Sequence, residues 1–144
     1  MSDSGFARAR GESAAAFLGR ALLSAIFLWG GIGKAMAAAA TTAGFAKLGL
    51  PVPQLAYLVA VVIELGGGLL LLFGLFTRPA AVVLGLWCIA TAIAAHSDFG
   101  DRNMQIHFMK NVAMAGGFVY VALAGAGAFS LDALLSHRRV ATAS

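Results

Sequence analysis

Charge is what this sequence has least of. Ten basic and six acidic side chains are spread over 144 residues, 11% of the chain, where an ordinary soluble domain carries about a quarter. Hydrophobic residues make up 60% and mean hydropathy is +0.88, so a water-facing surface cannot be assembled and the chain reads as a membrane protein. Cysteine is nearly absent too. Cys88 stands alone within VLGLWCIATA, which excludes an internal disulfide and a C-x-x-C pair, and with them thiol–disulfide chemistry; the thiol reads as core packing. No nucleotide or flavin fingerprint is present, so the chain by itself carries no hydride-transfer machinery. The formal net charge of +4 would draw nucleic acid to a soluble domain, but the basic residues lie scattered between apolar blocks rather than on one face. No nucleic-acid partner is expected; the lipid bilayer is.

What is present is a set of four apolar runs. A hydrocarbon core about 30 Å thick is crossed by about 20 residues of helix, and runs of that order lie at 14–39, 53–76, 79–96 and 108–129. They predict an all-α fold, an integral-membrane four-helix bundle, as a single domain over residues 1–144 with no repeat and no low-complexity linker. Turn residues cluster in TTAGFAKLGLPVP, FTRP and HSDFGDRNMQIH. Pro79 suits the first turn of the third helix, and a short, mildly amphipathic piece from Thr42 to Leu48 has Gly49 placed as its C-terminal cap. Arg8 and Arg10 before an apolar stretch, with AMA at 35–37, invite a signal-peptide reading. Arg20 and Lys34 bracket only 13 residues, however, so the first run is expected to stay as a span. The positive-inside rule then places both termini in the cytoplasm. That side holds Arg8, Arg10, Arg78, Arg138 and Arg139, with Arg20 in the adjoining leaflet; the other holds Lys47 and Arg102, with Lys34 and Lys110 nearby.

Glu64, in VVIELGGGLLLLFG, is the acid that needs explaining. It lies 11 residues after Pro53 and 12 before Phe76, near the bilayer midplane at about 1.5 Å per residue. A carboxylate at that depth needs a proton or a partner, and such groups face the bundle interior or a wet cavity. Lys34 approaches from the end of helix one, Lys110 and Asn111 from the start of helix four, and His96 and His107 flank the last outer loop. Together with Glu64 they form a predicted polar intramembrane cluster in the outer half. Arg20 and Lys34 are 14 residues apart, close to four turns, so they share a face. His107, three residues before Lys110, and Arg20 are candidate headgroup or loop contacts. Gly66, Gly67 and Gly68 remove bulk where a backbone or a planar ligand must come close. The two histidines with Asp98 and Asp101 invite a metal or haem, but the spacing has no tight ligand pattern, and no metal is expected. No catalytic residue is assigned.

Six segments carry a family resemblance: RALLSAIFLWGGIGK at 20–34, LGLPVP at 48–53, IELGGGLLLLFGLFTRPAA at 63–81, AHSDFG at 95–100, HFMKNVAMAGG at 107–117 and GAGAFSLDALL at 125–135. Together they cover nearly all of the chain from Arg20 to Leu135, and the chain resembles the DoxX family of small bacterial membrane proteins, related to DoxD-like and MauE-like proteins. The resemblance implies a multi-pass protein of the bacterial inner membrane with four helices. It also places the family's recurring polar positions at Arg20, Lys34, Glu64, His96, Lys110 and Asn111. Relatives are associated with redox work, including a thiosulfate to quinone oxidoreductase subunit, an oxidoreductase complex linked with superoxide dismutase and a sulfurtransferase, and a maturation factor for a disulfide-rich dehydrogenase. The last role would need paired cysteines, which this chain lacks.

Two functional readings stand open on the sequence. In one, the chain is a membrane subunit or anchor of a redox assembly, with a quinone as cofactor whose head meets the polar cluster while Glu64 carries protons. In the other it is a structural or assembly subunit, or a homo-oligomer, with Glu64 and Lys34 as an interhelical bridge. A transporter is a third and more distant reading, since one central acid in four helices makes a proton path only in an oligomer.

Overall fold

In the computed structural model the backbone is described for residues 3–141 and side chains for residues 11–136. The side chains of Arg8, Arg10, Arg138 and Arg139, used above for orientation, lie outside the described residues. The helices are α1 (Asp3–Met36), α2 (Ala38–Lys47), α3 (Pro53–Val61), α4 (Gly68–Phe73), α5 (Thr77–Ala95), α6 (Arg102–Ala124) and α7 (Leu131–Ala141), with a π-helical turn, Val62–Gly67, joining α3 to α4. Four stretches are long and apolar enough to cross a bilayer: Gly11–Met36, Pro53–Phe73, Thr77–Ala95 and Arg102–Ala124. The described chain is thus all-α with four membrane-crossing helices. α5 and α6 form the most extensive pairing, and α1 lies along the π turn and α4.

The helix ends differ from the sequence reading where local chemistry intervenes. α1 stops at Met36 and, after a turn at Ala37, α2 begins at Ala38 rather than Thr42, since the alanine run keeps high helix propensity. Gly49, at φ 75°, ends it: the Gly49 N–H donates to Ala46 O and the Leu50 N–H to Phe45 O, the Schellman arrangement. The second span stops at Phe73 because Gly74 takes φ 65°. α6 starts at Arg102, ahead of the expected 108, because Asp101 caps it by accepting the Asn103 N–H at 2.7 Å. The last connection therefore shrinks to residues 96–101, and His107 sits inside a helix instead of flanking a loop. α6 ends at Ala124 rather than 129, where Gly125 adopts φ 82°.

Phe27, Leu71, Ala81, Leu84, Cys88 and Phe118 form the buried core. Phe27 and Phe118 meet edge to face with centroids 5.5 Å apart, joining α1 to α6. Beyond that core, one end of the bundle is tied by main-chain capping. Arg20, 1% exposed, donates from Nη1 to the carbonyls of Leu71 (2.9 Å) and Leu72 (3.0 Å) and from Nη2 to that of Phe129 (2.6 Å). The Leu72 carbonyl is one that the end of α4 would otherwise leave orphaned, and Leu71 O accepts the Gly74 N–H as well. Asp132 caps α5 across the fold, accepting the N–H groups of Phe76 (2.8 Å) and Thr77 (2.9 Å), while its own N–H donates to Gly74 O. This holds Phe76 at φ 48°, a left-handed conformation that bulky residues avoid. Burial pushes the Asp132 carboxyl upward, but these amide hydrogen bonds and the Arg20 charge outweigh it and hold it below the ordinary aspartate value.

Candidate functional site

At the opposite end of α1, Lys34 meets Glu64. The acid sits in the π turn and is only 6% exposed; single π turns inside α-helices recur at functional sites. Its Oε2 accepts from Lys34 Nζ at 2.8 Å, an ion pair, and its Oε1 accepts from Trp87 Nε1 at 3.2 Å. Both carboxylate oxygens are thereby engaged from two other helices. Gly30 makes the pair fit: a Cβ there would stand 3.1 Å from Glu64 Oε2 and 3.6 Å from Lys34 Nζ.

A second polar group faces the first. His96, at the end of α5, stacks on His107 of α6 with ring centroids 5.0 Å apart and planes at 22°. Asn111 Nδ2 donates to His107 O at 3.0 Å, and Thr91 Oγ1 lies 3.2 Å from Asn111 Oδ1 and 2.9 Å from Trp87 O. Burial first, then the neighbouring His107 and Lys110, hold the His96 imidazole below the usual histidine range, so it is neutral at pH 7. Its Nδ1 is buried with no hydrogen-bond partner among the described residues. Between the two groups lies a cavity of about 760 Å³, with Ile26, Phe27, Leu55, Val59 and Met114 in its apolar walls and Phe45 of α2, Leu48 and Leu50–Val52 lining one side. Volumes from about 300 to 1,000 Å³, apolar walls and a few convergent polar groups are the usual make-up of a small-molecule site.

Lys34, Glu64, His96, His107, Lys110 and Asn111 all line this cavity. Arg20 does not; its guanidinium is consumed by main-chain carbonyls at the other end of α1. The three consecutive glycines do not line it either. A Cβ on Gly67 would meet Leu84 Cδ2 at 2.8 Å and one on Gly68 would meet Leu28 Cδ2 at 3.0 Å, whereas Gly66 has no heavy atom within 4 Å. Two of them serve helix packing, and the room beside Glu64 comes from Gly30.

The DoxX family profile matches residues 15–97, more than half of the chain. The chain belongs to the DoxX family. It is 34% identical over 127 residues to Inner membrane protein YqjF of Escherichia coli (strain K12), covering 88% of this chain and 96% of that protein. It is also 41% identical over 113 residues to Inner membrane protein YphA of the same strain, covering 74% and 80%. No solved structure matches. With four membrane-crossing helices and inner-membrane relatives, this DoxX chain is a multi-pass inner membrane protein. The family match takes in Lys34, Glu64 and His96 and ends before α6, which supplies His107, Lys110 and Asn111.

Sequence reasoning missed Trp87 and Thr91 of the DoxX site. A signal was available. A tryptophan in an apolar span carries an N–H that needs an acceptor, and Thr91 follows it by one helical turn on the same face.

Proposed function

We propose that this DoxX chain is the membrane subunit of a redox assembly, and that its cavity takes the head of a lipid-soluble, quinone-type molecule. On this reading both termini are cytoplasmic, the chain is one domain over residues 1–144, and the cavity lies in the outer half of the bilayer. The observation that carries it is the cavity itself: about 760 Å³ of largely apolar space lined by eight polar side chains, Trp87 and Thr91 among them, from α1, the π turn, α5 with its C-cap His96, and α6. Apolar walls suit an isoprenoid or acyl tail. Lys34 and Lys110 supply N–H donors for carbonyl oxygens, and the Glu64–Lys34 pair is a carboxylate and ammonium in hydrogen-bond contact, the arrangement general acid–base work requires. The redox assembly follows from what DoxX relatives are associated with, and its other members are membrane or redox proteins.

One observation favours the second reading, a purely structural subunit or homo-oligomer. Glu64 already ties three helices through Lys34 and Trp87, as interhelical polar contacts do in bilayers. The experiment that separates the two is parallel purification of wild type and Glu64→Gln in a mild detergent. Co-extracted quinone is measured, and the protein is photolabelled with a quinone analogue. Retained quinone, and a label on α5 or α6 peptides that unlabelled quinone competes away, support the ligand site. Wild type that retains none and takes no specific label leaves the bridge as the function of the cluster.

A further inference from the structure

The polar groups around the cavity are unbalanced. Both oxygens of its one acid are engaged, Glu64 Oε2 by Lys34 and Glu64 Oε1 by Trp87, while the single O–H of Thr91 is shared among Trp87 O, Cys88 O and Asn111 Oδ1. The Asn111 amide is used on His107 O. Donors are left over. Lys110 has no hydrogen-bond or ion-pair partner among the described residues, and Lys34 spends one of its three N–H groups on Glu64. Charge is unbalanced in the same sense. Lys34 and Glu64 cancel, whereas Lys110 lines the cavity uncompensated. Asp98 and Asp101, the acids closest to it in sequence, do not line the cavity; they accept the N–H groups of Gly100 in the loop and Asn103 in the first turn of α6. Lys110 is exposed and stands at the open rim of the cavity, where apolar walls on one side still strengthen its attraction for an opposite charge relative to bulk water, and spare donors at that rim favour an acceptor-rich head.

We infer that the occupant of the cavity is an oxyanion on an apolar tail, carrying one negative charge. The enolate of a hydroxyquinone and the carboxylate of a fatty acid are the two sources of that chemistry. Lys110 is its counter-ion, and the Lys34–Glu64 pair is a neutral floor. This rests on the cavity being a ligand site and adds the charge of the head.

The test uses the full-length protein in micelles, carrying Trp29→Phe so that Trp87, at the cavity, is the one remaining indole. Quenching of its fluorescence reports binding of an alkyl hydroxynaphthoquinone, its uncharged methyl ether, dodecanoate and methyl dodecanoate at neutral pH. The acids bind about tenfold more tightly than their neutral counterparts. Lys110→Met abolishes that preference. Glu64→Gln, which releases Lys34 as a second uncompensated cation, enlarges it. Opposite signs in two variants of one cavity separate a charge effect from damage to the fold. The ratio between hydroxynaphthoquinone and dodecanoate identifies the source. Ethers and esters that bind as tightly as the acids, or a preference that survives Lys110→Met, overturn the inference while leaving the ligand site standing. If no probe binds, charged or neutral, both fall.

Discussion

Replacing each glycine of the 66–68 run by alanine, one at a time, separates packing from helix propensity. Each substitution gains the same intrinsic helix term, about 0.8–1 kcal/mol, so differences between them report the surroundings alone. At Gly67 the new Cβ would lie 2.8 Å from Leu84 Cδ2 and 3.1 Å from its Cγ. Leu84 is fully buried among Leu71, Cys88 and Phe118 and has nowhere to go. Overpacking of this kind costs about 1–3 kcal/mol, so Gly67→Ala is expected to destabilise by about 0–2 kcal/mol net. At Gly66 no heavy atom lies within 4 Å, and the same change stabilises by up to about 1 kcal/mol. Gly68, whose Cβ would reach Leu28 Cδ2 at 3.0 Å, falls between, because a leucine tip outside the core yields more readily. The assay is reversible unfolding in mixed micelles with increasing dodecyl sulfate, followed by circular dichroism. The spacing between Gly66→Ala and Gly67→Ala is the overpacking term, about 1–3 kcal/mol. Equal stabilities, or an inverted order, would refute the assignment of Gly67 to packing.

The buried pair gives an asymmetric prediction. Lys34→Met strands the carboxylate and costs about 2–3 kcal/mol, below the usual 3–5 for a broken buried pair because the Lys34 side chain is 29% exposed. Glu64→Gln keeps an acceptor for Trp87 and costs about 1 kcal/mol; equal losses in the same micelle assay contradict the pair's role. The Asp132 carboxyl is held below its ordinary value of 3.8, so its contribution to stability is complete above that pH and is lost as pH falls through the lower folded value. Comparison with Asp132→Asn across the acid range shows this as a shrinking difference, and a constant difference rules it out. For orientation, single cysteines at positions 47 and 78 in a Cys88→Ser background are treated with an impermeant maleimide on intact cells. Position 47 labels and position 78 does not, and the reverse pattern inverts the topology.

The four spans were legible because a bilayer imposes length and apolarity on each crossing segment, and the composition of this chain leaves few other readings. Gly49 and Pro79 marked ends through their backbone restrictions alone. The start of α6 was misplaced by six residues because Arg102, Asn103 and Gln105 look like loop, whereas Asp101 at the cap decides the matter. The π turn had no signature in the sequence; Val62–Gly67 packs against α1 and α5 in the fold. The shared face of Arg20 and Lys34 was readable from a 14-residue spacing, and both side chains do turn toward the second span. Their different employment was not readable, since Arg20's acceptors are main-chain carbonyls, which every residue has.

The Arg20 contacts have a consequence for the order in which the protein is completed. Arg20 is synthesised early, but its acceptors at Leu71, Leu72 and Phe129 follow 51, 52 and 109 residues later. An unpartnered cation in a bilayer costs about 2.5–3.5 kcal/mol at the helix centre; for Arg20 the second crossing supplies two of the three acceptors and the segment after the last crossing supplies the third. Asp132 closes α5 from the same late segment. A chain halted before Phe129 would still have Leu71 and Leu72 for Arg20 Nη1 but would lack the acceptor for Nη2, and α5 would lack its Asp132 cap. Residues 129–132 thus supply, after the last crossing, the third acceptor for Arg20 and the cap of α5.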